Sequence, residues 1–128
     1  MELAYCSIPS RIIDRVEEIM DFIQAKKQAP FTPFLAFPVE RYEKGPVGRK
    51  KTLEFCVRAV TLCDTFHFFG ISEGTLLELR QAILKAKPIF LHFREFDPEW
   101  RKSLAELKNG DFGSTSRALL EYLKTRMM

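Results

Sequence analysis

Short apolar runs alternate along the chain with longer stretches of helical periodicity. Leu3-Ala4-Tyr5-Cys6 reads as a first strand, followed by Ser7-Ile8-Pro9-Ser10, a turn in which Pro9 or Ser10 opens a helix. Ile12, Ile13, Val16, Ile19, Met20 and Ile23 recur on one face of that helix, charges occupy the other, and Gln28-Ala29-Pro30 closes it. Phe34-Leu35-Ala36-Phe37 reads as a brief second strand, and residues 38–48, with two prolines and two glycines, as a loop. From Arg49 onward, Leu53, Cys56, Val57, Val60 and Cys63 form a second helical stripe. Thr65-Phe66-His67-Phe68-Phe69 is a third strand, apolar on both faces apart from His67, as a sheet covered on both sides requires. A tight loop over 70–74 leads to a helix over 75–85, a fourth strand over 88–93, and helices over 97–108 and 114–126.

Alternating strands and helices predict a parallel sheet of four to five strands with helices on both faces, a single Rossmann-like α/β domain over 1–128. Right-handed crossovers favour a flavodoxin-like order beginning 2-1-3-4. The winding direction then reverses between strands 1 and 3, and open α/β sheets bind ligands in the crevice beyond that point. Two segments meet there, Tyr5 to Ser10 and Gly70 to Glu78, and function is sought in them first.

Composition narrows the classes. Residues 1–64 carry 10 basic and 9 acidic side chains and residues 65–128 carry 10 and 8, an even spread that argues against a nucleic-acid footprint. Arg49-Lys50-Lys51 reads as a solvated helix start rather than a phosphate clamp. No apolar run reaches the roughly 20 residues that a membrane span needs, and the opening residues lack the pattern of a signal peptide. A soluble cytoplasmic protein is expected. Cys6, Cys56 and Cys63 form no CxxC and lie among apolar neighbours, so buried thiols are expected. His67 and His92 sit in apolar runs and read as core or sheet-face residues, and no ligand spacing suggests a metal site. Phe93, Phe96 and Trp100 read as core, with a lid or subunit contact as the alternative.

Gly70-Ile71-Ser72-Glu73-Gly74 precedes a helix N-terminus, where small residues let backbone N–H groups approach an anion. Glu78 is placed in the first turn beside the crevice. Read structurally, Thr75-Leu76-Leu77-Glu78 is a capping box, with the Glu78 side chain on the Thr75 N–H.

The stretch Cys63-Asp64-x4-Phe69-Gly70-x-Ser72-x-Gly74-x3-Glu78-Leu79-x2-Ala82-x4-Lys87-Pro88-Ile89 resembles the core of the nucleoside 2-deoxyribosyltransferase family. Its nearest likeness there is to the 2'-deoxynucleoside 5'-phosphate N-hydrolases, with Ser72 six residues before Glu78, and Tyr5-Cys6-Ser7-Ile8-Pro9 is similar to the family's first strand and phosphate loop. The resemblance implies that Glu78 is the nucleophile and that Tyr5 orients it. It also implies that Ser72, with backbone N–H groups of Ser7, Ile8, Ser10 and Gly74, holds a 5'-phosphate. Asp64 stands in the motif too, with a helix-end turn as its plain alternative. Cys56 occupies the position where the family carries an Asp, and the nearby Glu54 points about 160° away around the helix. No cofactor is implied. The implied partners are a small-molecule nucleotide or nucleoside and a second copy in a homodimer, and neither nucleic acid nor membrane. The implied activity is cleavage of an N-glycosidic bond, by hydrolysis or by 2-deoxyribosyl transfer. The alternative is a nucleotide-binding module of the same fold without turnover.

Overall fold

Alternation along β1 (Leu3–Ser7) sends Ala4 and Cys6 to one face of a sheet and Leu3, Tyr5 and Ser7 to the other. In the computed structural model, which describes residues 1–38, 40–42, 44–113 and 116–127, β1 is flanked by β2 (Ala29–Phe31) and β3 (Thr65–Phe68), and β4 (Ile89–Leu91) lies beyond β3. All pairs are parallel and the order is β2-β1-β3-β4, as expected for a flavodoxin-like sheet of four strands. Register places Tyr5 beside Phe31 and Phe66, and Ser7 beside Phe68.

Helix α1 (Val16–Ala25) packs Ile19 and Ile23 against Ala4, Cys6 and Phe69 on one face. The opposite face is covered by α3 (Arg49–Leu62), α4 (Glu73–Leu84), α6 (Trp100–Lys108) and α7 (Ser116–Met127) around Tyr5, Phe66 and Phe68. Two short turns, α2 (Pro33–Ala36) and α5 (Phe93–Phe96), follow β2 and β4.

The second strand falls earlier than the hydrophobic pattern predicts. Lys27 adopts a left-handed φ of 62°, and a Schellman end closes α1, with Lys27 N–H on the Gln24 carbonyl at 2.9 Å and Gln28 N–H on that of Ile23 at 3.5 Å. The chain therefore enters the sheet at Ala29, Pro30 is tolerated because β2 is an edge strand, and the Phe34-Leu35-Ala36-Phe37 run becomes α2 and its exit. Ala86, at φ 52°, ends α4 in the same way, with Ala86 and Lys87 N–H on the Ile83 and Ala82 carbonyls, each at 3.0 Å.

Three other boundaries move. The first helix begins as a 3-10 segment, Ser10–Arg15, kinked at Ile12. Strand four stops at Leu91, residues 93–96 turn into α5, and the helix expected over 97–108 starts at Trp100, after a turn over 97–99, as α6. Asp97 is buried against Arg11, which also bonds Ser103 at 3.1 Å and so ties the segment after β1 to α6. The expected start of the last helix at Ser114, and Val39 and Glu43 of the 38–48 loop, lie outside the described residues. Among the described residues no helix is long and apolar enough to cross a membrane.

Candidate active site

Period-two alternation puts Tyr5 and Ser7 on the same face of β1, at its carboxyl end. Above them α4 presents a buried stripe of Thr75, Leu76, Glu78, Leu79 and Ala82, in which Glu78 alone is ionisable. Tyr5 Oη donates to Glu78 Oε2 at 2.5 Å, and Ser7 Oγ donates to Oε1 at 2.6 Å. The Tyr5 ring is stacked against Phe66 at 5.7 Å and tilted against Phe31 at 5.6 Å, so the hydroxyl is aimed by packing on both neighbouring strands. The Cys56 thiol on α3 also hydrogen-bonds the Glu78 carboxyl.

Glu78 is only 5% exposed. Burial penalises its charged form and raises its pKa from 4.5 to about 7, while the hydrogen bonds from Ser7, Tyr5 and Cys56 pull in the opposite direction. The same burial, with the Glu78 charge beside it, pushes the Tyr5 phenol well above its usual value, so Tyr5 stays a protonated donor. Near neutral pH Glu78 therefore divides between carboxylate and acid, the range in which a buried carboxyl serves as nucleophile or as proton carrier.

Glu78 opens onto a cavity of about 110 Å³ lined by Ile8, Ser10, Ser72, Gly74 and Thr75 from the two loops beyond the sheet, with Cys56 on the α3 side. The reversal of winding between β1 and β3 creates this crevice. Gly70 is required here, because a Cβ at that position would overlap the Pro9 ring where the two loops touch.

Several expectations change. The capping box of α4 is Ser72 with Thr75 rather than Thr75 with Glu78, because α4 starts two residues earlier, at Glu73, than the sequence pattern suggests. Glu78 thereby moves into the second turn and is released from capping. The Ser72 Oγ accepts from Thr75 N–H at 3.2 Å and bonds Thr75 Oγ1 at 3.1 Å, so Ser72 lines the cavity with its hydroxyl engaged in the cap. Ser7 acts on Glu78 through its side chain, a role the loop reading did not assign to it. Asp64 is not part of the crevice. It precedes β3 at the amino end of the sheet, where its Oδ2 accepts from Leu3 N–H at 2.7 Å. Cys56 is buried, as its apolar stripe predicts, and it also reaches the crevice. Glu54 is exposed, consistent with its place on the far side of α3.

The sequence reading missed Arg49, Thr52, Phe34 and Phe37, which also line the cavity. Arg49, Thr52, Leu53 and Cys56 recur at helical spacing on α3, so periodicity extended one turn back from Leu53 would have found Arg49. Phe34 and Phe37 carried no such signal, since their placement follows from the early entry of β2.

His67 and His92 face the α1 side, away from the cavity. His67 donates from Nε2 to Gln28 Oε1 at 3.1 Å, and its Nδ1 accepts from His92 Nε2 at 3.0 Å. Burial holds both near pKa 4, helped for His67 by His92 and for both by Lys26. Among the described residues no three His, Cys, Asp or Glu side chains cluster to hold a metal. No protein-family model, curated protein or solved structure matches the chain, so the site stands on its geometry.

Proposed function

We propose that the chain cleaves the N-glycosidic bond of a 2'-deoxynucleoside 5'-monophosphate, by hydrolysis or by 2-deoxyribosyl transfer, through an ester on Glu78. The observation that carries this reading is a buried Glu78 carboxyl, held by the Tyr5 and Ser7 hydroxyls, at the floor of a cavity at the sheet's switch point. A cavity of about 110 Å³ suits a sugar ring, given that roughly 150 Å³ is enough for benzene. In this reading a Glu78 oxygen attacks the anomeric carbon as the bond to the base breaks, and the base leaves with the bonding pair and takes up a proton. Water, or a second base, then attacks the same carbon and releases the carboxylate. Tyr5 and Ser7 hold the two oxygens so that attack starts from one orientation.

The phosphate belongs at the mouth, where the first turn of α4 begins at Ser72 and Arg49 adds a cation. Phe34 and Phe37 flank the same opening and suit a planar base. The side that opens to solvent is where a second copy, in a homodimer, would complete the enclosure.

One observation favours the second reading, a binding module without turnover. Cys56, a thiol rather than a carboxyl, is the α3 side chain on Glu78, so no second carboxylate from that helix stands ready to assist the leaving base.

The test is release of free base from each 2'-deoxynucleoside 5'-monophosphate, beside a thermal-shift measurement of binding. Activity that falls by at least about 10³-fold in Glu78→Gln, with binding retained, supports the enzyme. Binding without base release by the unaltered protein supports the module.

A further inference from the structure

Remote from Glu78, a second cleft of about 550 Å³ opens beyond the end of β4, between α5, the start of α6 and the last turn of α7. Three arginines from these three elements converge on it: Arg94, Arg101 and Arg126. Each guanidinium lies over an aromatic ring. Arg94 lies 5.6 Å and Arg101 4.6 Å from the Trp100 centroid, and Arg126 lies 4.0 Å from that of Tyr122. A ring beneath a guanidinium attracts its charge and leaves its N–H groups for a hydrogen-bonding partner.

Those groups have little to bind within the chain. Among the described residues, Arg94, Arg101 and Arg126 form no ion pair, and their one hydrogen bond is a long contact of 3.5 Å from Arg94 to the Met127 carbonyl. Arg11 and Arg15, by contrast, are both engaged with carboxylates. Among the described residues, one carboxylate, the exposed Glu95, lines the cleft with the three cations. The volume falls within the range of roughly 300–1,000 Å³ found for small-molecule sites.

We infer that this cleft binds a small molecule bearing two or more phosphate groups, held by the edges of Arg94, Arg101 and Arg126. Guanidiniums match phosphate oxygens in pairs, and three of them facing one carboxylate exceed what a single carboxylate ligand would balance. A nucleic acid is the less favoured occupant, because the basic side chains gather in one cleft while charge over the rest of the chain is evenly mixed.

Trp100 is the sole tryptophan of the chain, so its fluorescence reports on this cleft directly. The experiment titrates the full-length protein with pyrophosphate at fixed ionic strength, reading Trp100 emission and, in parallel, the heat of binding. The same titration is run on the Arg101→Gln/Arg126→Gln double variant, with circular dichroism to confirm its fold, and on Ser72→Asp. The expected result is saturable binding, weakened about tenfold or more in the double variant and unchanged in Ser72→Asp. No heat of binding up to about 1 mM pyrophosphate, or equal affinity in the double variant, overturns the inference. Loss of binding in Ser72→Asp, which sets a carboxylate at the mouth of the Glu78 cavity, would overturn it as well, by assigning the pyrophosphate to that cavity. Tighter binding of a short single-stranded oligonucleotide than of pyrophosphate would also overturn it, in favour of a nucleic-acid surface.

Discussion

At Glu78 two effects of different size compete. Burial raises the carboxyl to about 7, and the Ser7, Tyr5 and Cys56 hydrogen bonds oppose it without winning. If Glu78 attacks as a carboxylate, kcat/KM rises about tenfold per pH unit below roughly 7 and levels off above it. Ser7→Ala removes one charge-assisted hydrogen bond, of the order of 1.5–3 kcal/mol, that favours the ionised form. The midpoint of that pH–rate profile should then move upward by about one unit or more, with activity largely restored at high pH. Ser7→Thr, which keeps the hydroxyl, should leave the midpoint near that of the unaltered protein. An unmoved midpoint in Ser7→Ala would show that the serine does not set the charge of Glu78.

At the scale of elements, two helices end on residues that bear the cost of a left-handed conformation. Lys27 closes α1 and Ala86 closes α4, both with Schellman hydrogen bonds and neither with the glycine that such a position favours. The left-handed region costs a residue with a Cβ about 1–2 kcal/mol, while glycine adds about 0.5–1 kcal/mol of unfolded-state entropy. Ala86→Gly should therefore stabilise the protein by several tenths to about 1 kcal/mol, read as a higher urea midpoint with an unchanged slope. A lower midpoint would mean that the Ala86 side chain contributes packing that outweighs the strain. The turn at Lys27 explains why the pattern of apolar residues misplaced β2: without a glycine or a long loop as a marker, only three residues separate the end of α1 from the start of the strand.

Across the whole molecule, buried ionisable groups on opposite faces of the sheet pull stability in opposite directions. Glu78 has a folded value of about 7 against 4.5, so the folded state holds a proton that the unfolded chain releases, and stability falls as pH rises from about 4.5 to 7. His67 and His92 have folded values near 4 against 6.5, so the unfolded chain takes up protons that the folded state refuses, and stability falls as pH drops from 6.5 to about 4. Two histidines outweigh one carboxyl between pH 4.5 and 6.5, so stability should rise with pH and level off near pH 7, where activity also levels off. Urea denaturation at a series of pH values measures this, and Glu78→Gln, which removes an opposing contribution of about 3 kcal/mol at most, should steepen the rise between pH 4.5 and 7. An unchanged rise in that variant would show that Glu78 does not hold its proton in the folded state.

Local periodicity was sufficient for the order of elements, the parallel sheet and the crevice between β1 and β3. Those follow from which residues alternate in twos and which recur in threes and fours, together with the handedness of crossovers. Glu78, Tyr5 and Ser72 were legible as residues of interest, because they lie in the two segments that this topology must bring together. Their partners were not. That Ser7 meets Glu78 depends on the height at which α4 rides over β1, and that Cys56 reaches the same carboxyl depends on the rotation of α3 against α4. The capping box moved to Ser72 and Thr75, and Asp64 fell at the far end of the sheet, for the same kind of reason. The meeting of Arg94, Arg101 and Arg126 needs three elements separated by up to 32 positions in the chain to dock together. Chain periodicity sets which face of an element is buried. Only packing decides which side chains on two buried faces come within hydrogen-bonding distance, and a displacement of one helical turn, about 5.4 Å, is enough to make or break such a contact.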